Sequence, residues 1–167
     1  QRHRFQTGKR QWYAGDTLNF SVGQGDVLVT PIQAVRMIAT VANDGIEVQP
    51  HVIKLVGGVP FEQYHSKRDT KIDRQVLKII QKGMRAAVTD NSGTAHELDM
   101  DQLYVAGKTG TAQSSGEKED HAWFVGYVKE AKKNIAFCVF LEHGGSSQNA
   151  CLVSKQFLLS MKEKELL

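Results

Sequence analysis

The nonapeptide His121–Lys129, HAWFVGYVK, constrains the fold more than any other stretch of this sequence. It is apolar on both alternating sets of positions: Trp123, Val125 and Tyr127 on one, Ala122, Phe124 and Val128 on the other. Successive side chains of a strand point to opposite faces, so this strand needs cover on both sides. Leu103–Gln113 reads as a strand before it and Ile135–Leu141 as a strand after it, with Glu130–Asn134 a turn of hairpin length. A turn of that length pairs the last two strands antiparallel, and the pattern fits a sheet covered on both sides. The fold class is therefore α/β in the mixed α+β sense, an antiparallel sheet flanked by helices.

The helices announce themselves by their ends. Thr30-Pro31-Ile32-Gln33 combines a capping threonine, a first-turn proline and the glutamine of a capping box. Ile32, Val35, Ile38, Ala39 and Ala42 follow at helical spacing, and Gly45 suits the left-handed cap after Asn43-Asp44. Asp73 opens a second helix whose apolar face is Val76, Leu77, Ile80, Met84 and Val88. A closing helix is expected over Ala150–Leu166, with Leu152, Val153, Phe157, Leu158 and Met161 inward. Residues 1–29 read as irregular, and His51–Val56 as a short strand closed by Gly57-Gly58.

A chain of 167 residues suits one domain and buries roughly 70% of its unfolded surface. Net charge is +3, from 21 basic and 18 acidic residues, which is too weak a bias to argue for nucleic acid. Arg2, Arg4, Lys9 and Arg10 crowd the N-terminus, where the plain reading is a solvated end. No apolar run has membrane-spanning length, and no signal peptide is visible. The chain starts at Gln1, as expected of a processed protein or a piece of a longer one. Cys138 and Cys151 read as buried free thiols, and together with His143 they match no zinc pattern. No metal or organic cofactor is expected.

Chemistry concentrates in Val105–Gln113, VAGKTGTAQ. A phosphate-binding loop needs a glycine five residues before its Gly-Lys and a helix after it. Here that position is Gln102, and Gly110-Thr111-Ala112-Gln113 shows no helical period. The lysine therefore sits within a strand. On a strand, Lys108 holds its ammonium in a fixed place, and Gly110 lets a ligand lie against the backbone. If the strand is a sheet edge, its N–H and C=O groups can pair with an extended peptide. The Thr111 N–H could then donate to an oxyanion, and the Thr109 and Thr111 hydroxyls could hold a carboxylate. An ordinary strand with a surface lysine and a glycine bulge would show the same nonapeptide.

Lys108-Thr109-Gly110 resembles the Lys-Thr-Gly box of penicillin-binding proteins and β-lactamases. Trp12–Thr17, Gly23–Asp26, Val29–Gln33, Ala106–Gln113, His121–Tyr127 and Glu142–Ser146 are similar, in family order, to class B penicillin-binding proteins, most of all the cell-elongation type. The resemblance implies a transpeptidase domain that cross-links peptidoglycan stem peptides and is acylated by β-lactam antibiotics. In that family the Lys-Thr-Gly strand is the edge of a five-stranded sheet. Carried over, Lys108 polarises the active-site hydroxyls, and Thr109 and Thr111 bind the substrate carboxylate, with Gln113 also on the substrate. The Thr111 N–H serves the oxyanion, and Gly110 keeps the cleft open. The resemblance also implies an extracytoplasmic location, a membrane anchor outside this chain, and partnership with a glycosyltransferase and elongation-complex proteins.

The family's nucleophile, in Ser-x-x-Lys, and its Ser-x-Asn would lie before residue 1. Residues 1–167 are thus expected to form the C-terminal part of a single transpeptidase domain, whose partner is the upstream half. Ser115-Gly116-Glu117-Lys118 and Ser147-Gln148-Asn149 copy the two missing motifs by spacing alone. Ser115 lies in a polar glycine loop that would not depress a lysine pKa, and Ser147 lies where residues cap helices. Two other readings stay open: a peptide-binding or scaffold module of the same fold without a nucleophile, and a nucleotide-binding protein.

Overall fold

A computed structural model describes residues 12–25, 28–60, 67–114, 116–130 and 134–167. The basic N-terminal residues, Asp26, Ser115 and the centre of the Glu130–Asn134 turn lie outside the described residues. Among the described residues four helices, α1 (Ala14–Ser21), α2 (Pro31–Ala42), α3 (Arg74–Thr89) and α4 (Ser147–Glu163), accompany seven strands. The strands are β1 (Ile46–Val48), β2 (Leu55–Val56), β3 (Val59–Pro60), β4 (Lys67–Asp69), β5 (Tyr104–Ala112), β6 (His121–Lys129) and β7 (Asn134–Leu141). The main sheet is antiparallel in the order β5-β6-β7, with Lys108 opposite Val125 and Val125 opposite Cys138.

The doubly apolar strand is covered on both faces, as its pattern demands. Phe124 and Val128, both fully buried, pack with Val105 and Phe137 against Leu158 and Cys151 of α4 and Val88 of α3. On the other face Tyr127 and Ala106 pack against Ile38 of α2 and Met84 of α3. That second cover stops short. Trp123 and Val125 stay half-exposed, and the Trp123 ring lies 4.3 Å from that of Phe140.

The predicted caps hold. Gln33 N–H donates to Thr30 Oγ1 at 3.3 Å and Thr30 N–H to Gln33 Oε1 at 2.7 Å, so the capping box at α2 is closed. Gln75 N–H donates to Asp73 Oδ1 at 2.7 Å at the start of α3, and Gly45 has φ +90°. Other expectations fail. Ala14–Ser21 is a helix where an irregular segment is expected, because Asp16 closes its first turn on the Tyr13 N–H at 2.9 Å. Only Leu55–Val56 of His51–Val56 is a strand, and it pairs with Val59–Pro60 across Gly57-Gly58, both at positive φ. The β1–β4 pair and a 3-10 turn over His96–Leu98 carry no sequence signal strong enough to find.

Helix orientation differs most in α4. Its buried residues are Ala150, Cys151, Ser154 and Leu158, while Leu152, Val153 and Phe157 are 51%, 44% and 41% exposed. A strip of small residues lets the helix come close to the sheet, and the buried Ser154 hydroxyl is satisfied by donating to the Ala150 carbonyl at 2.7 Å. In α3, Leu77, Met84 and Val88 are buried but Val76 and Ile80 are not. In α2, Ala34, Ile38 and Thr40 are buried, and Ile32 is exposed.

Candidate active site

Strand β5 is an edge of the main sheet, and the next described element after it is strand β6 rather than a helix, so the Gly-Lys-Thr is not a phosphate loop. Three side chains show which of its backbone groups face outward. Arg85 Nη1 donates to the Val105 carbonyl at 2.6 Å, Lys108 Nζ to the Thr109 carbonyl at 2.8 Å, and Gln24 Nε2 to the Thr111 carbonyl at 3.1 Å. In an antiparallel pair, residues alternate between bonding the neighbour and facing away, with N–H and C=O on the same side. The odd-numbered residues of β5 therefore present their backbone to the open edge, and the Thr111 N–H points outward with its carbonyl.

The same alternation separates the side chains. Lys108 and Gly110 stand on the face of Trp123 and Val125, where the helical cover stops, whereas Thr109 and Thr111 stand on the α4 face. Lys108 is exposed and folds over the edge, which brings its ammonium 3.5 Å from the Thr109 hydroxyl. Thr109 is only 8% exposed, and its hydroxyl is bonded to Thr94 Oγ1 at 2.9 Å. Thr111 and Gln113 are exposed, Gln113 just beyond the strand end.

The two glycines of this strand have opposite surroundings. A Cβ on Gly107 would lie 2.2 Å from Phe124 Cζ, because that ring lies across Gly107 and its partner Gly126. A Cβ on Gly110 would meet only Trp123 Cβ, at 3.4 Å. Gly107 is required by packing, whereas at Gly110 the missing side chain leaves open surface beside Lys108.

The segments around the strand tip are clasped together. Ser114 N–H donates to Asp120 Oδ1 at 3.0 Å, and Gly145 N–H to the Asp120 carbonyl at 2.9 Å. His143 N–H donates to His121 Nδ1 at 3.0 Å, so that nitrogen carries no proton. The His143 ring donates from Nδ1 to the Glu119 carbonyl at 3.0 Å. The His121–Tyr127 and Glu142–Ser146 segments thus meet at the end of the Lys-Thr-Gly strand. Ser147 begins α4, and Ser146 caps it by accepting from the Gln148 N–H at 3.3 Å.

Sequence reading missed Thr94 and Gln24 as neighbours of the site. Thr94 lies in a loop fixed by Ala95 N–H donating to the Ala87 carbonyl at 2.9 Å. Cys138 and Cys151 are free, and burial pushes both thiols up to about 11. No cluster of ligating side chains suits a metal among the described residues, and no described helix is long and apolar enough to cross a membrane.

Comparison with known proteins agrees with this fold. The family profile described as the penicillin binding protein transpeptidase domain matches residues 3–159. The peptidoglycan D,D-transpeptidase MrdA of Acinetobacter baumannii is 33% identical over 183 aligned residues, which take in 98% of this chain and 27% of that protein. Pseudomonas aeruginosa PBP2, solved in complex with WCK 5153, superposes with a TM-score of 0.77 at 35% identity, over 89% of this chain and 33% of that one. A subunit of a peptidoglycan synthase complex that coordinates polymerization and crosslinking superposes with a TM-score of 0.76 at 32% identity, over 89% of this chain and 26% of that one. The chain thus spans about a quarter to a third of the proteins it resembles. It belongs to the penicillin-binding protein transpeptidase family, with relatives of the PBP2/MrdA type.

Proposed function

We propose that this chain supplies the Lys-Thr-Gly strand of a serine-type peptidoglycan D,D-transpeptidase and that its nucleophile lies upstream in the same domain. The observation that carries the reading is an edge strand with its backbone open, Lys108 folded over that edge and an uncovered glycine beside it. A stem peptide or β-lactam adds along the edge as a short strand. Its carboxylate meets Lys108, Thr109 and Thr111, Gln113 borders it, and the Thr111 N–H stabilises the oxyanion of the tetrahedral intermediate. The half-exposed Trp123–Val125 surface is where the upstream helix bearing the serine docks, and the outer edge of β7 is where an upstream strand pairs. Residues 1–167 are then the C-terminal part of a single domain and are inactive alone. The working location is the extracytoplasmic side of the membrane, with a glycosyltransferase and elongation-complex proteins as partners.

Intact-mass spectrometry after incubation with a penicillin tests this. The complete polypeptide carrying this sequence gains a penicilloyl adduct that maps outside residues 1–167, and the isolated chain gains none. An adduct on Ser115 or any other residue of the isolated chain overturns the assignment. Absence of an adduct on the complete polypeptide favours the scaffold reading.

A further inference from the structure

Gln24 reaches the strand edge from 87 residues away in sequence. Its place is set by backbone. The chain leaving α1 turns through Gly23 at φ +75° and Gly25 at φ +88°, a conformation that side-chain-bearing residues rarely adopt. Gly23 N–H donates to the Phe20 carbonyl at 3.0 Å and Gln24 N–H to the Asn19 carbonyl at 2.9 Å, so the turn is locked onto the helix end. Gln24 is half-buried, and its primary amide donates to the Thr111 carbonyl at 3.1 Å. A primary amide is a side-chain copy of the peptide group. It fills the position that the N–H of an added strand would fill.

We propose that Gln24 is a specificity residue, the resident occupant of the Thr111 carbonyl that a ligand's amide N–H displaces. The inference rests on the functional reading above, because it takes the β5 edge as the ligand's docking line. Displacement costs one amide–carbonyl hydrogen bond, which the incoming amide re-forms. A ligand without an amide donor at that position leaves Gln24 where it is. Gln24 therefore weakens amide-bearing ligands relative to amide-free ones, and its removal shifts the preference toward the amide-bearing ones. Arg85 on the Val105 carbonyl does not compete in the same way, since it is paired with Asp99 at 3.5 Å and sits at the far end of the edge.

The test compares two ligands on the complete polypeptide: a penicillin with an acylamino side chain, and the same bicyclic nucleus without that group. The second-order acylation rate constant is measured for wild type, Gln24→Ala and Gln24→Glu. Glutamate keeps the length of the side chain but has no proton to donate to a carbonyl at neutral pH. The ratio of the two rate constants, amide-bearing over amide-free, is expected to rise roughly 3- to 10-fold in both variants, one neutral hydrogen bond's worth. Global effects of the added charge cancel in the ratio. An unchanged ratio, or one that falls, overturns the proposal while wild-type acylation keeps the functional reading standing. If the wild type accepts neither ligand, the functional reading itself fails and this inference with it. Should Gln24→Ala fail to fold, Gln24→Glu decides alone.

Discussion

The two halves of strand β5 teach different lessons. From Tyr104 to Gly107 the strand is a structural part. Val105 and Ala106 are fully buried on opposite faces, Arg85 seals the outward Val105 carbonyl, and Phe124 lies against Gly107. From Lys108 to Ala112 the strand has the same pairing with β6 but little cover on its Lys108 face, and its outward carbonyls are held by side chains that can move. One continuous ladder thus runs from core to workplace. The rigid half fixes the register, and the register fixes where the ammonium and the Thr111 N–H stand.

Substitutions along the strand separate the halves. The largest stability loss is expected for Gly107→Ala, roughly 3 kcal/mol, because the new methyl meets a ring packed between the sheet and α4; a melting midpoint within a degree or two of wild type would show that Phe124 yields. Gly110→Ala is its control. The same methyl fits against Trp123, so stability changes by less than about 1 kcal/mol while acylation by a penicillin slows. Equal destabilisation by the two alanines would erase the contrast between the halves. Lys108→Ala should leave the melt of the complete polypeptide unchanged and lower the acylation rate constant by roughly 100- to 1,000-fold, as for loss of one charge aimed at the reacting centre. A loss of only a few-fold would remove Lys108 from the chemistry.

The smallest effect belongs to the thiols, which lie in the structural part of the sheet and helix. Both are held near 11 by burial, above the ordinary value of 9.0. A group raised in the folded state stabilises it below the unfolded value and loses that contribution as pH climbs through the folded one. Stability should fall between about pH 9 and 11 by a margin that shrinks in Cys151→Ala, read from urea midpoints at stepped pH. At pH 8 Cys151, fully buried, should react with a thiol reagent only as the protein unfolds. Labelling at the rate of a free thiol would show that α4 opens from the sheet.

Much of the architecture is legible in the residues because the signals are local. Thr30-Pro31-Ile32-Gln33 and Asp73 place two helix starts by hydrogen bonds that span at most three residues. The β6 segment declares both its conformation and its two covers through alternation. The Lys-Thr-Gly box is equally local. The rotation of α4 is not, because Leu152, Val153 and Phe157 outweigh Ala150, Cys151 and Ser154 on any scale of apolarity. What decides there is the distance between helix and sheet, and a strip of small residues wins close contact that larger ones cannot.

The sequence by itself therefore determined the three strands of the main sheet, the starts of α2 and α3, the family and the nonapeptide on which the proposed chemistry turns. Tertiary structure alone decided that β5 is an edge, that Thr109 turns its hydroxyl to Thr94, and that Gln24 lies on the Thr111 carbonyl. The physical reason is range. Capping and alternation act over a few residues and leave a mark in the order of amino acids. A contact between residues 24 and 111 exists only after the sheet has formed its edge and a glycine turn has delivered an amide to it, and no spacing in the sequence encodes that meeting.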